Sequence, residues 1–193
     1  ITWVELQLMP IASTNIDVDS VRARGLDEAL AVLEESDTAY EYTVCWLDAT
    51  ASARAIGRGH VIRGNHASLD RSIESYAPRP PRVTMPFDAP SWLLNRHTVG
   101  AFNTAYYHRQ QARRTAFSSD LVPFFWPLDA VGRWNNLYGR RGMIQYQFVV
   151  PLDRRDVLRT VLLELRDAGY ASFLAVLKMF GSIASPGMMS FPR

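Results

Sequence analysis

The 193 residues predict an α+β domain, an antiparallel or mixed β-sheet with helices packed on one face, related to ferredoxin-like units. Three observations lead there. Stretches rich in β-branched and aromatic residues are separated by short stretches of helical periodicity. Each end of the chain carries a βαβ-like unit with a short helix. No glycine-rich phosphate turn joins a strand to a helix, which speaks against a nucleotide-binding parallel sheet.

The elements follow in order. Residues 3–9 alternate, from Trp3 to Met9, and read as a strand ended by Pro10. Leu26, Leu30 and Leu33 share helical spacing, with Asp27 and Glu28 in the first turn, where the helix dipole favours acids. Tyr40 to Ala49 is aromatic and β-branched and predicts a strand. Ala53 to Arg63 reads as its partner, interrupted by Gly57 and Gly59. Residues 64–122 read as a long insertion without clean periodicity, including an extended Pro-rich loop over residues 77–82.

The last third is more regular. Pro127 suits a first helical turn, Leu128, Val131, Trp134 and Leu137 follow on one side, and Gly139 closes the helix. Met143 to Pro151 reads as a strand. Asp153 and Asp156 mark the start of a helix whose apolar stripe is Val157, Leu158, Val161, Leu162 and Leu165, ended by Gly169. Ser172 to Phe180 reads as the final strand.

Composition narrows the function. Apolar content of 48% permits a sizeable core. Net charge is +2, with 21 basic and 19 acidic residues interleaved, so no nucleic-acid face is expected. Cys45 is the single cysteine, which rules out an intrachain disulfide and fits a reducing, cytoplasmic compartment. No apolar run reaches membrane-spanning length and no signal peptide is visible. The chain begins without methionine inside a strand-like alternation and stops after a loop, so it reads as a fragment.

Lys178 is the one lysine among 21 basic residues, and it lies in the apolar run from Phe173 to Phe180. An ammonium is a compact point charge that a guanidinium fork cannot replace. Side chains alternate along a strand, so Val176, Lys178 and Phe180 share a face, as do Gln145 and Gln147 on theirs. Should those faces coincide, two carboxamides, one ammonium and an aromatic ring meet. That set suits a polyhydroxylated ligand: amides donate and accept, the ammonium donates to hydroxyl or phosphate oxygen, and the ring covers a sugar face. The alternatives are a solvated sheet face and a lysine whose head simply reaches water. Trp46 and the Phe124-Phe125-Trp126-Pro127 cluster read either as core or as walls of the same cleft.

His60, His66, His97 and His108 show no metal-ligand spacing. Cys45 lies inside a predicted strand and reads as a packed thiol. No nucleophile elbow, Walker or dinucleotide motif appears, so no self-sufficient catalytic constellation is expected.

Several ordered motifs carry a resemblance. Phe124-Phe125-Trp126-Pro127-Leu128-Asp129, Trp134-Asn135, Tyr138-Gly139 and Gln145 to Pro151 resemble the substrate domain of the decaprenylphosphoryl-β-D-ribose 2-oxidase family, within the vanillyl-alcohol-oxidase superfamily. So do Gly169 to Leu174, Lys178-Met179-Phe180-Gly181 and Ser190-Phe191-Pro192, with Trp46 to Ala49 and Phe87 to Pro90 in the same order. The resemblance implies a flavoprotein in which residues 1–193 are the cap, or substrate-binding, domain, and the FAD-binding domain lies outside this chain. It implies that Gln145, Gln147, Lys178 and Phe180 line the substrate side of the flavin, with Trp46 nearby, and that FAD does not bind this fragment alone. It also implies a sugar or polyol-like substrate, lipid-linked in the family, which would bring the parent to a membrane surface. Where the family has tyrosine this chain has Phe125, followed by Trp126 in place of histidine. A hydroxyl is therefore lost from the expected pocket wall, which suggests a different sugar or alcohol. Any general base is expected outside the fragment. Two rivals stand beside this reading: an aldonolactone or alditol oxidase cap, and a non-catalytic ferredoxin-like ligand-binding or dimerisation module.

Overall fold

Asn15–Ala23 (β1) is the strand around which the sheet forms, in a computed structural model that describes residues 2–11, 13–68 and 80–181. Ile16 and Val18 face one side of it and Val21 and Ala23 the other, so both sides are buried and β1 lacks the amphipathic alternation of a surface strand. Leu26–Ser36 (α1) follows, its stripe of Leu26, Ala29, Leu30 and Leu33 turned to the sheet. Tyr42–Leu47 (β2) and Gly59–His66 (β3) pair antiparallel, and β3 also pairs with β1. Gly57 precedes β3 with φ of 72°, and a Cβ there would sit 2.7 Å from the Leu26 Cβ, so the turn into β3 requires glycine.

Val83–Thr84 (β4) comes next, then Arg96–Arg109 (α2), Arg114–Asp120 (β5) and Leu121–Phe125 (α3). Val131–Gly132 (β6) pairs in parallel with β4. Asp156–Asp167 (α4) and Ala175–Leu177 (β7) complete the described elements. The main sheet runs β5-β1-β3-β2-β7 with every neighbouring pair antiparallel. The α+β class is thus as expected, and the sheet is antiparallel rather than mixed.

The core lies on one face. Ala23, Cys45, Leu47 and Val61 from the strands meet Ala29 and Leu33 of α1, and Leu162 of α4 with Ala175, Leu177 and Met179 packs onto them. The same face carries a buried charge network. Arg63, 3% exposed, donates through Nε to Asp19 Oδ2 at 2.7 Å and through Nη1 to Ser36 Oγ. Tyr40 and Arg114 donate to the same carboxylate.

Several expected elements differ. Residues 3–9 form no strand; Trp3, Leu6, Leu8 and Met9 are exposed. Residues 143–150 likewise form no ladder, with Ile144 96% and Tyr146 83% exposed. Alternation records compatibility with a pleated sheet, but a strand exists only with a partner, and neither segment pairs with the edge strands β5 and β7. The helix expected from Pro127 to Gly139 is broken into two 3-10 segments, because Val131 and Gly132 extend to pair with β4 and Arg133 then turns left-handed, with φ of 53°. Residue 153 lies in a 3-10 turn, and α4 starts at Asp156 without a side-chain cap. The final strand is three residues long, so Lys178 lies just past its end.

The stretch read as an insertion contains the last part of β3, α2 and β5. Its helix starts at a capping box: Asn95 Oδ1 accepts from the backbone N–H groups of His97 and Thr98, and the Thr98 hydroxyl accepts from the Asn95 backbone N–H. Part of the Pro-rich loop over residues 77–82, and the Ser190-Phe191-Pro192 motif, lie outside the described residues.

Candidate functional site

The second face of the sheet carries Trp46 and receives Phe125 against Tyr42. Register places Tyr42, Val44 and Trp46 of β2 beside Gly64, Ile62 and His60 of β3, and Val176 of β7 beside Trp46. Ala175, Leu177 and Met179 point into the core, so Val176, Lys178 and Phe180 take the opposite side. The β2–β7 pairing ends at Cys45 and Leu177, and Lys178 and Phe180 follow beyond the ladder. Lys178 is exposed, which agrees with an ammonium whose head reaches water.

Two helical pieces bracket this face. At one end α2 packs on it through aromatic contacts. Trp46, 8% exposed, lies against His60 with ring centroids 5.8 Å apart and against Tyr106 at 4.6 Å. The indole Nε1 donates to the Phe173 carbonyl at 2.9 Å, fastening β2 to the segment that leads into β7. His60 Nε2 lies 3.2 Å from the Tyr106 carbonyl and therefore carries a proton, and Nδ1 is buried without a partner among the described residues. Burial holds the His60 imidazole below its ordinary value, despite the bond to Tyr106.

A buried polar knot fixes the same corner. Asp48, fully buried, accepts from the Thr50 hydroxyl, from Arg58 Nε at 2.9 Å and from Asn103 Nδ2 at 3.1 Å. Asn103 also donates to the Ser172 carbonyl at 3.0 Å, so one amide ties α2 to β2 and to the entry of β7.

At the other end α3 lays the Phe124 ring over Gly64. A Cβ at Gly64 would lie 3.2 Å from that ring and 2.5 Å from Ile16 Cγ2, so the glycine creates the seat. Phe125 then meets the Tyr42 ring edge-on with centroids 4.8 Å apart. The Tyr42 oxygen lies 3.0 Å from His66 Nε2 and 3.1 Å from Glu41 Oε1, and His66 Nδ1 lies 2.7 Å from the Ser13 carbonyl. Burial, then the Glu41 carboxylate, raise the Tyr42 phenol above its ordinary value of 10.0, so it keeps its proton in neutral solution.

Between these brackets the surface is open and mixed. Val176, Phe180 and Phe125 are 49%, 46% and 39% exposed. Trp46 and Val176 are thus carried on one face, and Phe125 reaches it against Tyr42. Gln145 and Gln147 are exposed on the unpaired stretch 143–150, and no ladder joins that stretch to Lys178. A shallow hollow on α4, lined by Thr160, Leu163, Glu164, Asp167 and Ala168, contains none of these side chains. Among the described residues no cluster of His, Cys, Asp and Glu could hold a metal ion, and no helix is long and apolar enough to cross a membrane. Cys45 is buried and its thiol is pushed up to about 12 by burial, which leaves it protonated and inert.

Sequence reasoning weighs His60 and His66 only as metal ligands and does not single out Tyr42 or Asn103. Tyr42 and His66 are 24 residues apart and meet only through the β2–β3 register. The one available signal for Asn103 was a polar side chain inside an aromatic stretch that turned out to be helical.

No family model matches the chain. It is 29% identical, over 97% of its length, to a protein named decaprenylphosphoryl-beta-D-ribose oxidase from Mycolicibacterium smegmatis (strain ATCC 700084 / mc(2)155). It is 30% identical, again over 97% of its length, to an uncharacterized protein in the mprA 5' region of Streptomyces coelicolor. The chain spans 42% and 53% of those two relatives. Across nearly all of its residues, the chain is distantly linked to the family of that ribose oxidase.

Proposed function

We propose that this chain is the substrate-binding, or cap, domain of an FAD-linked oxidoreductase that oxidises a secondary alcohol of a sugar or polyol-like substrate. The observation that carries this reading is the similarity over 97% of the chain to an oxidase whose name specifies a ribose derivative. The open sheet face supports it, since aromatic and aliphatic surface beside one solitary ammonium suits the alternating apolar and hydroxyl faces of a sugar. That the relatives are about twice as long supports a further domain for the cofactor.

The residues present fit one side of a flavin ring. Val176, Phe125 and Phe180 offer flat apolar surface, each partly exposed. Among the described residues no glycine-rich turn opens a helix, so the pyrophosphate belongs to another part of the protein. When bound, FAD supplies the two-electron acceptor for alcohol oxidation. This chain contributes position: Lys178 and Gln147 hold hydroxyl or phosphate oxygens, Phe125 and Phe180 cover the sugar, and the sheet excludes water from one side. Gln145 and Gln147 take part once residues 143–150 come to rest against the cap.

The replacement of the family's tyrosine by Phe125 favours a second reading inside the same chemistry, in which a free polyol or aldonolactone takes the place of a lipid-linked ribose. Steady-state turnover of the full-length protein tests both, with ribitol and ribose compared against a lipid-linked ribose. Lys178→Ala and Gln147→Ala are expected to raise KM by about tenfold each, the loss of one charge-assisted or neutral hydrogen bond. Unchanged kinetics in both variants would remove these side chains from the site. The isolated chain is expected to purify without flavin absorbance.

A further inference from the structure

The sugar-oxidation reading leaves a proton unplaced: an alcohol that becomes a ketone loses a hydride from carbon and a proton from oxygen. A group on the open sheet face is built to receive that proton. Three oxygens and one imidazole stand in line, from Glu41 through Tyr42 and His66 to the Ser13 carbonyl, at 3.1, 3.0 and 2.7 Å.

Hydrogen counting shows what the line can do. A carbonyl only accepts, so the short contact to Ser13 places a proton on His66 Nδ1. In the neutral ring Nε2 is then an acceptor, and the single Tyr42 proton goes either to Nε2 or to Glu41 Oε1, never to both. With one more proton on Nε2, the imidazolium donates to the Tyr42 oxygen and Tyr42 donates to Glu41, so every contact becomes a hydrogen bond. The chain is therefore one proton short of complete, and the Tyr42 oxygen is the atom through which that proton enters.

Place points the same way. Tyr42 lies edge-on to Phe125, at 4.8 Å between ring centroids, beside the wall position where a hydroxyl was expected and is missing. It lies on the same face of the sheet as Trp46 and Val176. Tyr42 is only half buried on that face.

We propose that Tyr42, backed by His66, accepts the hydroxyl proton of the alcohol substrate, and that the Ser13 carbonyl fixes the tautomer which makes this possible. The proposal rests on the sugar-oxidation reading. The substrate O–H bond breaks as its proton passes to the Tyr42 oxygen. The phenolic proton moves to His66 Nε2, and the carbon's hydrogen leaves with its electron pair to the flavin assigned above. Tyr42 is then a catalytic residue and His66 the group that receives the proton behind it.

The experiment uses the full-length protein with its flavin, and ribose and ribitol as probes. Tyr42→Phe keeps the ring and its contact with Phe125, and His66→Gln keeps a hydrogen-bond acceptor that takes no proton. Each is expected to lower kcat by about 10²–10⁴-fold, the usual contribution of a positioned acid or base, with KM nearly unchanged. Nitrogen-15 spectra of histidine-labelled protein, which do not depend on turnover, are expected to show His66 protonated at Nδ1 in the neutral state, and Tyr42→Phe is expected to shift the Nε2 signal. Wild-type activity matched by Tyr42→Phe overturns the relay and leaves the oxidation reading standing. A neutral His66 protonated at Nε2 overturns it as well. A wild-type protein inert toward sugars and polyols ends both readings together.

Discussion

The two faces of the sheet are made of the same five strands, yet they solve different problems. Toward α1 the side chains are aliphatic, and the one buried charge cluster is satisfied: Asp19 accepts from Arg63, Arg114 and Tyr40. Toward α2 and α3 aromatic and titratable side chains join the aliphatic ones, and among the described residues two buried polar atoms, His60 Nδ1 and Asn103 Oδ1, have no partner. A face that only stabilises closes its hydrogen bonds, because an unmade one in the interior costs about 1–3 kcal/mol. A face left open at the polar level has capacity for a ligand.

Substitutions should therefore act in opposite ways on the two sides. The largest stability effect is expected from Arg63→Ala, which leaves Asp19 buried without its main partner at a cost of about 3–5 kcal/mol; urea unfolding measures it, and a loss below about 1 kcal/mol would mean that Arg114 and Tyr40 compensate. Gly64→Val comes next. It forces Ile16 and the Phe124 ring aside for about 1–3 kcal/mol of overpacking, and it should also disturb the Tyr42–Phe125 contact, visible as a change in near-ultraviolet circular dichroism.

Acid sharpens the contrast further. Burial lowers the His60 pKa, so the unfolded chain takes up protons first, and stability is complete above the ordinary value of 6.5 and falls as pH drops below it. Burial alone would raise the Asp19 carboxyl, but hydrogen bonds from Arg114, Arg63 and Tyr40 outweigh it and hold it below 3.8. Its contribution is present above that value and is lost only as pH falls through the lower folded pKa. Urea midpoints measured from pH 8 to about pH 2 should show two separate declines; His60→Gln removes the upper one and Asp19→Asn reduces the lower, to which Glu28 also contributes. The smallest stability effect belongs to Lys178→Ala, within about 0.5 kcal/mol, as for any exposed side chain, even though its effect on substrate affinity should be clear.

The closed face was largely legible in the sequence. Leu26, Leu30 and Leu33 announce α1, the stretch Tyr40 to Ala49 announces β2, which runs from Tyr42 to Leu47, and the α4 stripe reaches the core through Leu162. These elements bury one apolar side, and periodicity reports burial. The strand β1 was missed because it is covered on both sides and has polar Asp17, Asp19 and Ser20 within it, two of them buried. The alternating segments 3–9 and 143–150 were read as strands because a sequence reports fitness for a sheet and says nothing about whether a partner is free.

The open face was legible only in part. Val176, Lys178 and Phe180 share one side of their run by parity alone, whereas Phe125 lies in α3 and reaches Tyr42 only through tertiary packing. Tyr42–His66 and Asp48–Asn103 depend on register and on the packing of α2, and local sequence encodes neither.

The short final strand has a practical consequence. Three residues of β7 hold one border of the sheet, and β7 has a strand neighbour, β2, on one side only among the described residues. An exposed segment that alternates like Met143 to Val150 is chemically suited to such a border, whether it comes from the same molecule or from a neighbour. Prepared alone at high concentration, the chain should therefore self-associate by strand exchange before it unfolds, and a proline placed at Tyr146 should keep it monomeric.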